Sequence, residues 1–183
     1  MRALVVYESM YGNTHGVATD IAAGLQAACE VSLVPVTRAS RELVMAAGLI
    51  VAGGPTHRHG MSSVASRRLA VQAACEPDTR LTLDRDANGP GLRTWLEELD
   101  AEGVLAAAFD TRLSAMPVLT GRASRAIARV LTRRGCRVVL APESFLVSGQ
   151  NTLLDGEAAR ACSWGALLGE TALEARVTGR RAR

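Results

Sequence analysis

The chain has 183 residues, of which 48% are apolar, 21% charged and 3% aromatic. That balance excludes a disordered or collagen-like chain, and the length suits one domain that buries a core without disulfide or metal staples. No apolar run approaches the roughly 20 residues that cross a bilayer. The opening MRALVVYESMYGNTHG has too short an apolar stretch for a secretion signal, so a soluble, cytoplasmic protein is expected.

The net charge of +3 is read as a property of the end of the chain: RVTGRRAR holds Arg176, Arg180, Arg181 and Arg183, and without them 17 basic groups face 18 acidic ones. Residues 176–183 read as a solvated, disordered tail rather than a nucleic-acid or lipid contact, after one domain over 1–175. All 21 basic residues are arginine, which excludes lysine Schiff-base chemistry and the lysine of a phosphate-binding P-loop. Cys29, Cys75, Cys136 and Cys162 are widely spaced and read as small apolar residues in a reducing compartment.

In chain order, Ala3–Tyr7 reads as a buried strand, and from Thr14 to Ala28 the positions Val17, Ile21, Leu25 and Ala28 share a helical face. Val31–Val36 is a second strand, placed at a sheet edge by Pro35, which has no N–H for a ladder. A short helix follows Ser40, then a strand at Leu49–Ala52 and a helix over Met61–Cys75. A polar loop, Glu76–Gly91, precedes the helix TWLEEL; strands at Val104–Phe109 and Val138–Ala141 flank a helix with Ala123, Ile127, Val130 and Leu131 on one face. Glu143–Leu154 reads as a long loop that closes a site or builds a homodimer contact, and the last helix spans Asp155–Glu174. Five βα units in alternation predict an α/β fold: a doubly wound, five-stranded parallel sheet of order 2-1-3-4-5 between two helical layers.

Ligands in such sheets bind beyond the carboxyl ends of the strands, where the strand order reverses. That directs attention to ESMYGNTHG, GGPTHRHGMSS and FDTRL. The first runs into a helix N-terminus, whose free N–H groups and dipole attract an anion. Gly12 lets the backbone approach closely, and Ser9, Asn13 and Thr14 add polar groups, although a plain helix cap uses the same residues. His15, His57 and His59 have the chemistry of a metal set but not its spacing, and no metal site is expected. Asp84, Asp86, Asn88 and Gly89 open like a calcium loop, but the twelfth position is Trp95, and a surface turn is the better reading. A receiver domain needs an acid after the third strand, where Ala52-Gly53-Gly54 stands, and a lysine the chain lacks; a GxGxxG nicotinamide fingerprint is absent too.

LVVYESMYGNTHGVA resembles the phosphate-binding signature of the flavodoxin family, through Tyr7, Ser9, Gly12, Asn13, Thr14 and Ala18, and the order of elements is similar over about residues 1–175. GGPTH and FDTRL fall where that family's second and third flavin loops belong. The resemblance implies a bound FMN, its phosphate on Ser9, Met10, Tyr11, Gly12, Asn13 and Thr14. Its ring would lie between the second loop, with Pro55, Thr56, His57 and Gly60, and the third, with Phe109, Asp110, Thr111 and Arg112. It also implies electron transfer to a redox partner protein or a small acceptor. The family's aromatic sandwich is missing, so His57, His59 or Met61 would cover the ring. Arg58 and Arg112 stand where typical carriers are acidic, which predicts a less reducing flavin, nearer to an FMN-dependent NAD(P)H:acceptor reductase. A flavin-free binding or assembly module is the alternative.

Overall fold

Side chains alternate between the two faces of a strand, and a strand apolar on both faces needs cover on both sides, which parallel βα units supply. The computed structural model describes residues 1–57, 59–116 and 120–181. The chain runs β1 (Arg2–Tyr7), α1 (Asn13–Leu25), β2 (Glu30–Pro35), a 3-10 turn (Val36–Arg38), α2 (Arg41–Ala46), β3 (Leu49–His57), β4 (Gly60–Met61) and α3 (Val64–Ala74). It continues with α4 (Leu92–Glu98), β5 (Leu105–Leu113), α5 (Ala123–Arg133), β6 (Arg137–Val138), β7 (Glu143–Val147) and α6 (Glu157–Arg181). β2, β1, β3 and β5 pair in parallel in that order, with β2 at the edge, and β6 and β7 both pair with β5. This is the predicted order, with the fifth position divided.

Two cores flank the sheet. Ala3, Val5, Tyr7, Leu49, Val51, Ala107 and Phe109 face α1 and α6. Leu4, Val6, Ile50, Ala52, Ala106 and Ala108 face α2, α4 and α5. Helices α1 and α6 meet through glycine: a Cβ on Gly24 would lie 2.0 Å from the Cys162 carbonyl oxygen, and one on Gly165 would lie 2.3 Å from that of Ile21. Trp95 anchors α4 by donating its indole N–H to Ala39 O at 3.2 Å.

Five expectations change. β5 runs past Phe109 to Leu113, so FDTRL, expected as a flavin loop, is strand paired with β3 and β7. β3 continues past Ala52 to His57 and folds back on β4, pairing Thr56 with Met61 and His57 with Gly60. Gly53 is therefore a packing residue within the strand: its Cβ would fall 2.2 Å from the Phe109 ring. The fifth strand is not Val138–Ala141. β6 stops at Val138, and Glu143–Val147, expected as loop, is the strand β7 beside the second half of β5. Pro142, with no N–H to offer, stands at the break. Helix α3 begins at Val64, because Ser63 accepts the Ser66 N–H and the Ser66 side chain answers to the Ser63 N–H. Helix α6 runs on to Arg181, so residues 176–181 extend it where a disordered tail was expected; 182 and 183 lie outside the described residues.

Candidate functional site

The carboxyl ends of the strands open onto a cavity of about 430 Å³, in the roughly 300–1,000 Å³ range of small-molecule sites. Met10, Tyr11, Asn13 and Thr14 line it after β1, Pro55, Thr56 and His57 at the end of β3, and Ser66, Leu69 and Ala70 on α3. Thr111, Arg112 and Leu113 at the end of β5, with Val147 and Asn151, complete the wall. None of these residues is acidic.

Local geometry leaves the first of these segments rich in free donors. Gly12 precedes α1 at φ 93°, with nothing within 4 Å of where its Cβ would stand. The turn is held from behind: Gly12 N–H donates to Ser9 Oγ at 3.1 Å, and Asp84 N–H donates to Met10 O at 2.8 Å. No side chain caps α1 and no acid occupies its first turn. The N–H groups of Asn13, Thr14 and His15 thus have no partner among the described residues, and the positive end of the helix dipole faces the same way. Thr14, buried, shares a hydrogen bond of 2.7 Å with Thr111 Oγ1. The Asn13 amide is turned aside onto Asn151.

The other wall is set by buried polar groups. His57 Nδ1 lies 3.0 Å from Ser66 Oγ, and burial pushes the imidazole pKa below its usual 6.5, so the ring is neutral at pH 7. Thr56 Oγ1 accepts the Ala123 N–H at 2.9 Å and donates to Asp110 Oδ2 at 3.0 Å, where Ser124 N–H also donates at 2.7 Å. Asp110 is wholly buried, and desolvation raises its carboxyl pKa above the ordinary value. Arg112 is 8% exposed. Its Nη1 donates to the carbonyl oxygens of Leu113 and Ala115 at 3.1 and 2.8 Å, and its Nε has no partner among the described residues. Burial and the neighbouring Arg122 lower its pKa, but a guanidinium stays charged.

The cavity gathers Met10, Tyr11, Asn13, Thr14, Pro55, Thr56, His57, Thr111 and Arg112 of the residues singled out in the sequence. Ser9 and Gly12 shape the loop from behind. Phe109 does not reach the cavity: it is fully buried against Gly53 and meets Phe145 edge to face at 6.4 Å. Asp110 lies beneath the wall, and Gly60 belongs to the β3–β4 hairpin outside the lining. The histidines do not converge. His15 stacks on Tyr7 at 4.6 Å with Nδ1 3.4 Å from Asp84, and His59 is exposed on the hairpin at φ 78°. Met61 packs on the core, and Arg58 lies outside the described residues. Residues 76–91 brace the Met10 turn from outside instead of rimming the cavity.

Sequence reasoning missed Ser66, Leu69, Ala70, Leu113, Val147 and Asn151. Ser66, Leu69 and Ala70 share a face at i, i+3 and i+4 of a helix with no buried residue, a stripe aimed at a cavity instead of a core. Tyr11 is the aromatic residue in the lining, its hydroxyl donating to Ala70 O at 2.8 Å.

A flavodoxin family model matches residues 5–116, more than half of the chain. The chain therefore belongs to the flavodoxin family, whose cofactor is FMN. Among solved structures, a flavodoxin from the domain Archaea is 20% identical over 94% of this chain and 99% of its own, with a TM-score of 0.65. Oxidised flavodoxin 2 from Bacillus cereus is 23% identical over 93% and 98%, with a TM-score of 0.62. The rubredoxin oxygen:oxidoreductase of Desulfovibrio gigas is 16% identical over 94% of this chain and 36% of that one, again at 0.62. At these identities the likeness is one of fold. No curated protein sequence matches the chain.

The residues present fit the group. Uncapped N–H groups at a helix N-terminus suit a phosphate, a wall with no carboxylate does not repel it, and Arg112 adds a cation to the lining.

Proposed function

We propose that this protein binds FMN in the cavity and passes electrons through it to a protein partner or a small acceptor. The uncapped start of α1, opening into an acid-free cavity, carries the reading. The backbone of Tyr11 to Thr14 holds the phosphate, and the segments Pro55–His57 and Thr111–Leu113 flank the ring. FMN supplies one- and two-electron chemistry; the chain supplies position and electrostatics. Here the electrostatics are those of a buried cation, Arg112, where an acidic wall would disfavour a negative reduced flavin. The flavin is accordingly less reducing than that of an acidic carrier, which brings the protein closer to an FMN-dependent reductase. The four cysteines are free, in keeping with the reducing cytoplasm, and among the described residues no helix is long and apolar enough to cross a membrane.

The visible spectrum of the purified chain, before and after adding FMN and desalting, tests this. A retained flavin band that Thr14→Glu abolishes is expected. A colourless protein that cannot keep added FMN would remove the redox role and favour a flavin-free binding module.

A further inference from the structure

Charge is unevenly distributed over this fold. Residues 122–137, which are α5 and its flanks, carry Arg122, Arg125, Arg129, Arg133, Arg134 and Arg137 and no acid. Arg125, Arg129 and Arg133 recur at every fourth position and form one exposed row along the helix. None of the six makes an ion pair with a described residue.

Helix stability does not account for the row. Like charges four residues apart repel, and Arg122 and Arg125 stand at the positive end of the helix dipole, where a cation is disfavoured. Only the arginines of the last turn are well placed. Beside the row lies a groove of about 470 Å³ lined by Arg125, Arg129 and Arg133 together with Ala128, Val138 and Pro142. The row also starts at the cavity: the N–H groups of Ala123 and Ser124, the first residues of α5, bond to Thr56 and Asp110.

We propose that α5 is the docking face for an acidic protein, an electron-transfer partner whose carboxylates pair with the arginine row while an apolar side chain fills the groove. The guanidinium fork matches a carboxylate with two parallel hydrogen bonds. An apolar centre within a charged rim is the anatomy of a protein interface, and a nucleic-acid duplex has no protruding apolar side chain to fill such a groove. A partner bound there is held against the rim of the cavity. That the partner is a redox protein rests on the function proposed above; that it is acidic rests on α5 alone.

The full chain, with and without FMN, is titrated with an acidic [2Fe–2S] ferredoxin and with basic cytochrome c as probes. Ferredoxin should bind, and bind less tightly as salt rises, while cytochrome c should not. The Arg125→Glu/Arg129→Glu/Arg133→Glu variant should lose about tenfold or more in ferredoxin affinity. The Arg2→Glu/Arg38→Glu/Arg176→Glu variant, with the same change in net charge and no residue on α5, should lose far less. If the glutamate variant fails to fold, the corresponding glutamine variant reads the same loss. Equal losses in the two variants, a preference for cytochrome c, or tighter binding of a short DNA duplex than of ferredoxin through the same arginines would overturn the proposal. Because binding is also read without FMN, failure to hold the cofactor refutes the redox function and leaves the docking result standing.

Discussion

Asn13 and Asn151, 138 positions apart, are joined by two hydrogen bonds: the Asn13 amide donates to the Asn151 carbonyl oxygen at 3.0 Å and to its Oδ1 at 2.9 Å. Asn13 opens α1, and Asn151 sits beyond β7 at φ 59°, a left-handed conformation that asparagine accepts more readily than most residues. The pair ties the segment after the last strand to the start of α1 and closes one end of the cavity. Asn13→Ala should cost about 1–2 kcal/mol of stability. It should also speed hydrogen exchange at residues 148–154. Exchange there at the wild-type rate would show that the clasp does not hold the segment.

Burial raises the Asp110 pKa against the hydrogen bonds from Ser124 and Thr56, which lower it. The folded protein therefore keeps a proton that the unfolded chain releases. The resulting cost to stability is absent below the unfolded value of 3.8 and grows as pH rises toward and through the raised folded pKa. Asp110→Asn retains an oxygen for the Thr56 and Ser124 donors without the charge. Its melting temperature should exceed that of wild type at pH 7, with the gap closing toward pH 4. A variant less stable than wild type at pH 7 would mean that the site requires the ionised carboxylate.

At the α1–α6 contact, Gly24→Ala would push a methyl group to 2.0 Å from the Cys162 carbonyl oxygen. Backbone cannot give way as a side chain can, and about 2–3 kcal/mol of stability should be lost. Gly16→Ala, in the same helix with nothing within 4 Å, is the control and should be neutral or slightly stabilising. Similar denaturation midpoints for the two variants would refute the close-contact account.

Arg112 is a buried cation in the cavity lining, so it should favour FMN most when the flavin is negatively charged. Arg112→Ala should weaken the affinity for reduced FMN by about tenfold more than that for oxidised FMN, equivalent to roughly 30 mV for a two-electron couple, and Arg112→Lys should recover part of it. Equal weakening of both forms would make Arg112 a structural residue, holding the Leu113–Ala115 turn through its Nη1 bonds.

Much of this arrangement is legible in the residues because their physics is local. Alternating apolar runs dictated a doubly wound sheet, Pro35 put β2 at the edge, and Gly12-Asn13-Thr14 after β1 marked a tight turn into a helix. What was not legible depends on distant partners. Gly53-Gly54-Pro55 looks like a strand terminator, yet Gly53 is required by the Phe109 ring, which arrives from another strand. β7 was hidden because Pro142 breaks the run before it. Phe109 and Asp110 were expected in a loop but lie within β5, and whether each faced the cavity or the core depended on register with β3. The basic balance is set by the terminal arginines, as the totals show, but the exposed row of Arg125, Arg129 and Arg133 emerges only once α5 is folded.

The claim that the start of α1 binds a phosphate is tested most directly by comparing equilibrium affinities for FMN and riboflavin, which differ only in that group. The account predicts that FMN binds at least about a hundredfold more tightly, in line with the strength of charge-assisted hydrogen bonds to an anion, and that Thr14→Glu removes the difference. Equal affinity for the two flavins would contradict it.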